Sequence, residues 1–276
     1  MHCVYRMSVP SLLQTLTKRH DLWWQFTVRA VEMRHRGSYL GVVWTVLNPL
    51  LMLAMYVTVF SLVFKNHFRA DETPTDYALA VFIGLILFHT TSETIGAAPT
   101  YIITSPNLVK KVVFPLEVLP IANTSALWFH FIISFILFIA AAFVFDRPPS
   151  VTGLLWMPVI LAPQVLLTIG AAWFLSALGV FFRDISQVVG FVASVLLWTS
   201  GVFYSTANIA ERSPTAWQIL KWNPLLQTIE LSRHALLWDQ PIGLKALLYT
   251  WVFGIAALVL GGWSFKKLQP AFADVL

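Results

Sequence analysis

Long apolar runs, separated by short charged stretches, occupy most of the chain. They cover roughly residues 42–64, 78–99, 118–145, 153–182, 187–203 and 246–265. Each run except the fifth is long enough for a helix that crosses a hydrocarbon core of about 30 Å, and the fifth depends on its continuation. The pattern therefore predicts an all-α integral membrane protein with six transmembrane helices.

Composition agrees with a protein embedded in lipid. Hydrophobic residues make up 58% of the 276 positions and charged residues 11%, whereas a soluble domain carries roughly 25% charged residues. The net charge of +5 is compatible with nucleic-acid binding, but in membrane proteins Lys and Arg collect on cytoplasmic flanks. We therefore expect membrane lipids, and no nucleic acid, among the partners. Because Cys3 is the one cysteine, neither an internal disulfide nor a cysteine-based metal site is predicted.

The basic residues also predict the orientation. Most of the Lys and Arg fall in segments 1–41, 104–117, 183–186 and 266–276. By the positive-inside rule these segments lie in the cytoplasm, and so do both termini. Several Arg and Lys precede the first long apolar run, so no cleavable secretion signal is expected.

The chain divides into a cytoplasmic N-terminal arm, residues 1–41, and a six-span domain, residues 42–276. Within the arm, residues 11–36 mix cations with apolar side chains such as Trp23 and Trp24. This mixture is typical of an amphipathic helix that lies in the headgroup plane of the membrane. The alternative is an ordinary charged arm beside the membrane.

One charged stretch, residues 105–115, separates the second and third apolar runs. Ser105 followed by Pro106 favours a helix start, with a side-chain cap and a proline whose missing N–H costs nothing at the first helical position. Pro115 cannot continue a helix, so about two turns are predicted. A short basic helix between two spans is suited to contact another protein.

The last outer segment, residues 204–243, is rich in Trp, Leu and Ile and is therefore unlike a solvated loop. Two further pairs of cap residue and proline occur there, Ser213-Pro214 and Asn223-Pro224. They predict short helices at about 214–221 and 224–237. Helices that do not span, in such an apolar setting, favour a re-entrant hairpin packed against protein or lining a cavity. The alternative is a small lid on the outer surface.

Catalytic motifs are absent from the sequence. It contains no G-x-x-x-x-G-K-[ST], no H-E-x-x-H and no G-x-S-x-G, so we expect no cofactor, metal or ATP in this chain. Glu93 is a candidate because a carboxylate inside a span is costly and is by default functional. His89 lies four residues earlier on the same helix face. The alternatives are a polar lining near the cytoplasmic side, a pair that holds two helices together, and an acid that reaches interfacial water.

Five short motifs occur in order along the chain. They are Arg34, Arg36, Gly41 and Trp44 before and in the first span, Glu93 in the second, NLVKKVVFP at 107–115, FRDI at 182–185, and Asn223-Pro224-Leu225 with Glu230 and Arg233. Together they resemble the membrane subunits of ABC-2 type polysaccharide exporters, which export O-antigen, capsule or teichoic acid chains. The resemblance runs from about residue 20 to the C-terminus, and the lysine stretch is its most specific motif.

The resemblance is incomplete at the outer end of the fifth span. The family often has S-P-x-x-Y-P there, whereas residues 200–205 of this chain read SGVFYS and lack both prolines. Gly201 still allows a kink. We therefore expect the outer bend to differ from the family pattern.

The resemblance implies a homodimer of six-span subunits in the bacterial inner membrane, with a polymer channel between them. Two copies of a separate ATP-binding cassette subunit, which bind ATP and Mg²⁺, dock on the cytoplasmic side. The substrate is a lipid-linked polysaccharide or a similar glycopolymer. In such a complex this chain has no enzymatic activity of its own, and the partner subunit hydrolyses ATP.

The resemblance also implies roles for particular residues. Residues 105–115 form a coupling helix that contacts the ATPase. Its candidate contact residues are Ser105, Asn107, Leu108, Lys110, Lys111, Phe114 and Pro115. Two short gate helices follow the fifth span, and the candidate outer-gate residues are Tyr204, Trp217, Trp222, Asn223, Pro224, Glu230 and Arg233.

Two other classes of function compete with the exporter subunit. One is a membrane-embedded transferase that moves a glycosyl or acyl group on a lipid carrier, with Glu93 and His89 supplying the chemistry. The other is a scaffold without any transport pathway. A P-loop ATPase in the neighbouring reading frame would favour the exporter subunit over both.

Overall fold

The computed structural model describes residues 20–36, 39–41, 43–59, 68–69, 72–110 and 114–276. Within these residues the secondary structure is helical, without a β-strand. The helices are α1 (His20–His35), α2 (Val43–Val57), α3 (Pro74–Ala97), α4 (Pro106–Val109), α5 (Val118–Val144), α6 (Val151–Phe181), α7 (Ile185–Thr199), α8 (Thr206–Arg212), α9 (Pro214–Leu220), α10 (Pro224–Leu236), α11 (Leu244–Leu268) and α12 (Phe272–Val275). A 3₁₀ turn at Ala98–Thr100 extends α3, and another at Gln269–Ala271 joins α11 to α12.

Four of the described helices are long and apolar enough to cross a membrane: Pro74–Thr100, Val118–Val144, Val151–Phe181 and Leu244–Val275. The shorter apolar helices Val43–Tyr56 and Ile185–Thr199 coincide with the first and fifth predicted spans. The prediction of a helical, multi-pass membrane protein is thus confirmed. The count of six spans stays a prediction, because two of the six apolar helices are shorter than a full crossing.

Helix α3 lies at the centre of the bundle and contacts α2, α5, α6, α7 and α10. Of its most apolar 18 residues, 78% are buried, against 22–33% in the other three long helices. Its start is fixed by a capping box in which the Thr73 hydroxyl accepts from the Asp76 N–H and the Asp76 carboxylate accepts from the Thr73 N–H, followed by Pro74. Helix α3 is therefore enclosed by other helices along most of its apolar length.

Helices α6 and α11 pack against each other along most of their lengths. Gly170 lies against the backbone carbonyl of Ala257, and Gly254 lies against that of Pro163. A Cβ at either glycine would overlap these backbone atoms. Small residues of this kind allow membrane helices to approach closely, so α11 packs firmly on α6, and α6 in turn contacts α3.

Helix α4 is shorter than the two turns predicted for residues 105–115. It covers the four residues Pro106–Val109 and ends at Lys110. The predicted side-chain cap from Ser105 is also wrong: Ser105 has ψ 51°, outside the extended region that an N-cap needs, and its side chain makes no capping hydrogen bond. Phe114 and Pro115 are not helical, and Lys111 lies outside the described residues, as do residues 11–19 of the predicted interfacial helix.

Candidate functional site

Helix α1 and the segment around α4 lie at one end of the bundle, which we call the α1 end. The indole N–H of Trp23 donates to the Ser125 hydroxyl of α5 over 3.0 Å. The ring of Phe26 lies 5.4 Å from the ring of Phe114, centroid to centroid. Helix α1 is thus held on α5 and touches the segment that follows α4.

An ion pair joins α1 to the central helix at this end. The Arg34 guanidinium donates to the Glu93 carboxylate of α3. The two side chains are 40% and 43% exposed, so both reach open space while they pair. Between α1 and α2, Gly41 takes φ +48°, a left-handed conformation that suits glycine, and the Trp44 N–H donates to its carbonyl.

A cavity of about 240 Å³ extends from this ion pair into the bundle between α2, α3 and α5. Its polar lining includes Asn48, His89 and Ser134, and its apolar lining includes the rings of Trp44 and Phe131. His89 Nε2 is buried and has no hydrogen-bond partner among the described residues. Polar side chains from three helices therefore meet in one space inside the bundle.

A second cavity of about 510 Å³ lies between α1, α3 and α5 on the other side of the ion pair. Tyr101 and Asn123 line it, together with the small residues Gly96 and Ala97. Arg34, Glu93 and Leu127 line both cavities. The ion pair therefore stands where the two spaces meet.

The opposite end of the bundle, which we call the α10 end, is organised around Arg233. Its side chain is fully buried, and it donates to the backbone carbonyls of Ala80, Gly201 and Val202 over 2.7–2.9 Å. It also donates to the Glu230 carboxylate over 2.9 Å. This guanidinium therefore ties α10 to α3 and to the bend after α7.

Neighbouring residues complete the enclosure of Arg233. The ring of Phe68 lies 4.2 Å from its guanidinium carbon, a cation–π contact. Gly84 leaves room for the side chain, since a Cβ there would lie 2.8 Å from Nη2. The bend itself uses Gly201 at φ +69°, so residues 200–205 turn without the two prolines of the family pattern. The carbonyls of Gly201 and Val202 in this bend accept from Arg233.

The other predicted outer-gate residues are spread over the same end. Asn223 caps α10 by accepting from the Leu225 N–H over 3.0 Å, and Pro224 follows at the first helical position, so the predicted helix start is confirmed. Tyr204 donates its hydroxyl to the Trp198 carbonyl over 2.7 Å. Trp222 is exposed and Trp217 is half-buried. Helix α8 precedes the two predicted short helices and was not expected.

A polar cleft of about 790 Å³ lies beside this end, lined by Arg69, Glu72, Asp76, Arg147 and Trp238 among others. Arg147 pairs with Asp76 over 2.8 Å. Burial raises the pKa of the Glu72 carboxyl above its ordinary value. The hydrogen bond that the Phe68 N–H donates to this carboxylate lowers the pKa, but by less.

Sequence reasoning missed several of these partners. Ser125 accepts the hydrogen bond from Trp23, and Phe68 covers Arg233. Ser134 and His130 line the cavity of about 240 Å³. A usable signal was the spacing of Ser134 and His130, which are one helical turn apart in the apolar part of α5 that follows Ser125. Among the described residues no group of three or more His, Cys, Asp and Glu is arranged to hold a metal ion.

Comparison with known proteins identifies the family. The model of the ABC-2 type transporter family matches residues 21–237. The chain is 28% identical over 256 residues, 93% of this chain and 95% of the relative, to the O-antigen export system permease protein RfbA of Klebsiella pneumoniae. It is 26% identical to the protein of the same name from Myxococcus xanthus, over 78% of this chain and 80% of that one. It is also 22% identical to the polysialic acid transport protein KpsM of Escherichia coli, over 88% and 92%. The family match covers most of the chain, and this protein belongs to the ABC-2 type transporter family.

Proposed function

We propose that the chain is the membrane-spanning subunit of an ATP-driven exporter that moves a lipid-linked polysaccharide, or a similar glycopolymer, across the bacterial inner membrane. The observation that carries the proposal is the near full-length similarity to permeases named for O-antigen export, over 93% of the chain. Membership of a transporter family also favours transport over the transferase and scaffold alternatives.

The proposal includes the architecture that the sequence predicted. Two copies of the chain, each with six spans and both termini in the cytoplasm, enclose the polymer pathway. The arm at 1–41 contains the interfacial helix, and residues 204–243 form the re-entrant gate region. Two ATP-binding cassette subunits bind ATP and Mg²⁺ and dock at the α1 end.

Residues 105–115 serve as the coupling segment in this scheme. Three contacts support a route for motion from it: Phe114 touches Phe26 of α1, Trp23 holds α1 on α5, and Arg34 of α1 pairs with Glu93 of the central helix. A displacement of the coupling segment therefore shifts α1, and α1 shifts the ion pair between the two cavities.

The proposal is tested by export in cells that lack the chromosomal copy of the gene. Changing both Lys110 and Lys111 to Glu is expected to abolish polymer export, because two cations that face the ATPase become anions. The protein should still accumulate in the membrane. Polymer on the cell surface and ATP hydrolysis by the purified complex are the two measurements.

A matched control exists in the pair Lys266 and Lys267 near the end of α11, which lies at the same end of the bundle. The same double change there should leave most of the export intact. Equal losses from both lysine pairs would show a general effect of basic charge, and unaffected export after the change at 110 and 111 would remove the coupling role.

A further inference from the structure

We infer that the two cavities joined at Arg34 and Glu93 form a binding site for one neutral sugar ring of the exported polymer. The inference rests on the proposed function and assigns a substrate class to this particular site. The site lies within a single subunit, between α1, α2, α3 and α5.

The charge of the site favours a neutral ligand. We call the cavity between α2, α3 and α5 the inner cavity and the one between α1, α3 and α5 the outer cavity. Arg34 and Glu93 are the paired cation and anion that line both cavities. The other titratable side chains of the inner cavity are His89 and His130. A hydroxyl group can donate to the carboxylate and accept from the guanidinium without separating them. A phosphate group, by contrast, would have to displace Glu93 and would be repelled by it.

The walls of the inner cavity combine ring faces with hydrogen-bonding groups. Trp44, Phe82 and Phe131 supply the aromatic surface, on which the C–H face of a sugar ring can rest. Asn48 and His89 supply both donors and acceptors. His89 Nε2 is buried, without a partner among the described residues, and such an atom gains most from a ligand hydroxyl.

Size and access limit the ligand to a single ring. The inner cavity, at about 240 Å³, falls below the range of about 300–1,000 Å³ that is typical of sites for drug-sized ligands. The outer cavity, at about 510 Å³, is wider and adjoins it across the ion pair. A terminal sugar can therefore occupy the inner space while the next residues of the chain remain in the outer one.

The test is saturation-transfer NMR on the purified protein in nanodiscs, with methyl glycosides of a hexose, a 6-deoxyhexose and an N-acetylhexosamine as probes. At least one glycoside should receive saturation from the protein. His89→Leu should weaken its binding about fivefold, the usual effect of losing one hydrogen bond. His89→Gln, which keeps a hydrogen-bonding group, should bind more tightly than His89→Leu.

Two controls make the outcome decisive. His20→Leu makes the same change at an exposed histidine outside both cavities and should leave binding unchanged. Inorganic pyrophosphate should not compete with the glycoside. Absence of glycoside binding, competition by pyrophosphate, or equal binding by wild type and His89→Leu would each overturn the inference.

The export assay separates this inference from the proposed function. If the wild-type chain restores polymer export while no glycoside binds, the sugar site is refuted and the exporter role stands. If the chain and its ATP-binding partner restore no export, the exporter role itself fails, whatever the NMR result.

Discussion

One arginine–glutamate pair lies at each end of this protein, and the two pairs differ in burial and in the number of their hydrogen-bond partners. Arg233 is fully buried and divides its donors between Glu230 and three backbone carbonyls. Arg34 is 40% exposed, and Glu93 is the partner that the structure gives its guanidinium. Arg233 cannot move without leaving carbonyls and the charge of Glu230 unpaired, whereas Arg34 and Glu93 can exchange partners at little cost.

The difference in burial makes Arg233–Glu230 a structural pair and Arg34–Glu93 an adjustable one. Breaking a buried pair leaves an uncompensated charge in a medium of low polarity, whereas an exposed pair contributes little because water can replace either partner. The motif resemblance placed Arg233 among the outer-gate residues. The geometry favours a fixed bend at the α10 end and a movable junction at the α1 end.

The largest expected effect comes from Arg233→Ala, which should lower the free energy of unfolding by about 3–5 kcal/mol, because Glu230 and three carbonyls lose their donor. Thermal and denaturant unfolding of the detergent-purified protein measure the loss. Arg212→Ala, at an exposed arginine of α8, is the matched control and should change little. A loss below about 1 kcal/mol for Arg233→Ala would contradict the structural role, since that is the size expected of an exposed pair.

A second prediction compares Arg→Lys at both ends. Lys keeps the charge but cannot reproduce the planar fork of donors. Arg233→Lys should therefore cost about 1 kcal/mol for each hydrogen bond that is lost, and Arg34→Lys should be nearly neutral. Unfolding measurements on the two variants side by side check this, and similar losses would remove the distinction between the two pairs.

A third and smaller effect is expected at the adjustable pair. Glu93→Gln should change the free energy of unfolding by about 0–1 kcal/mol, and yet alter export more than Glu93→Asp does, because Asp keeps the charge that faces Arg34. Export and unfolding are measured on the same variants. Wild-type export by both would show that Glu93 only reaches interfacial water.

The smallest effect concerns pH at the α10 end. Because burial raises the pKa of Glu72 above its ordinary value of 4.5, the folded protein holds this proton at pH values where the unfolded chain has lost it. The free energy of unfolding should therefore fall as the pH rises from about 4.5 through the raised pKa. Glu72→Gln should reduce that slope, and an unchanged slope would assign it to other groups.

Much of the fold could be predicted from the sequence, because apolar runs and proline starts are local signals. The runs located the six apolar helices, Asn223 located the start of α10, and the ordered motifs identified the family. The predicted cap at Ser105 is wrong because a cap residue needs an extended backbone, which Ser105 does not adopt.

The pairing of polar residues could not be predicted, because it depends on distant segments. Arg233 gave no sign that it would be buried under Phe68 or that its donors would meet carbonyls of residues 80, 201 and 202. Glu93 was identified as costly, but its partner on α1 lies 59 positions away in the sequence. Such contacts appear only once the helices are packed.

The enclosure of α3 by protein bears on how the chain is made. Its mean hydropathy of 1.6 is the lowest of the four long helices, and it carries Glu93, a charge that is expensive to place in lipid. During synthesis α3 enters the membrane before α5, α6 and α10 exist to cover it. Arg34 precedes α3 in the chain, so its ion pair with Glu93 can form before those helices are made. We therefore expect a chain cut short after α3 to hold this helix in the membrane less firmly than the full chain does.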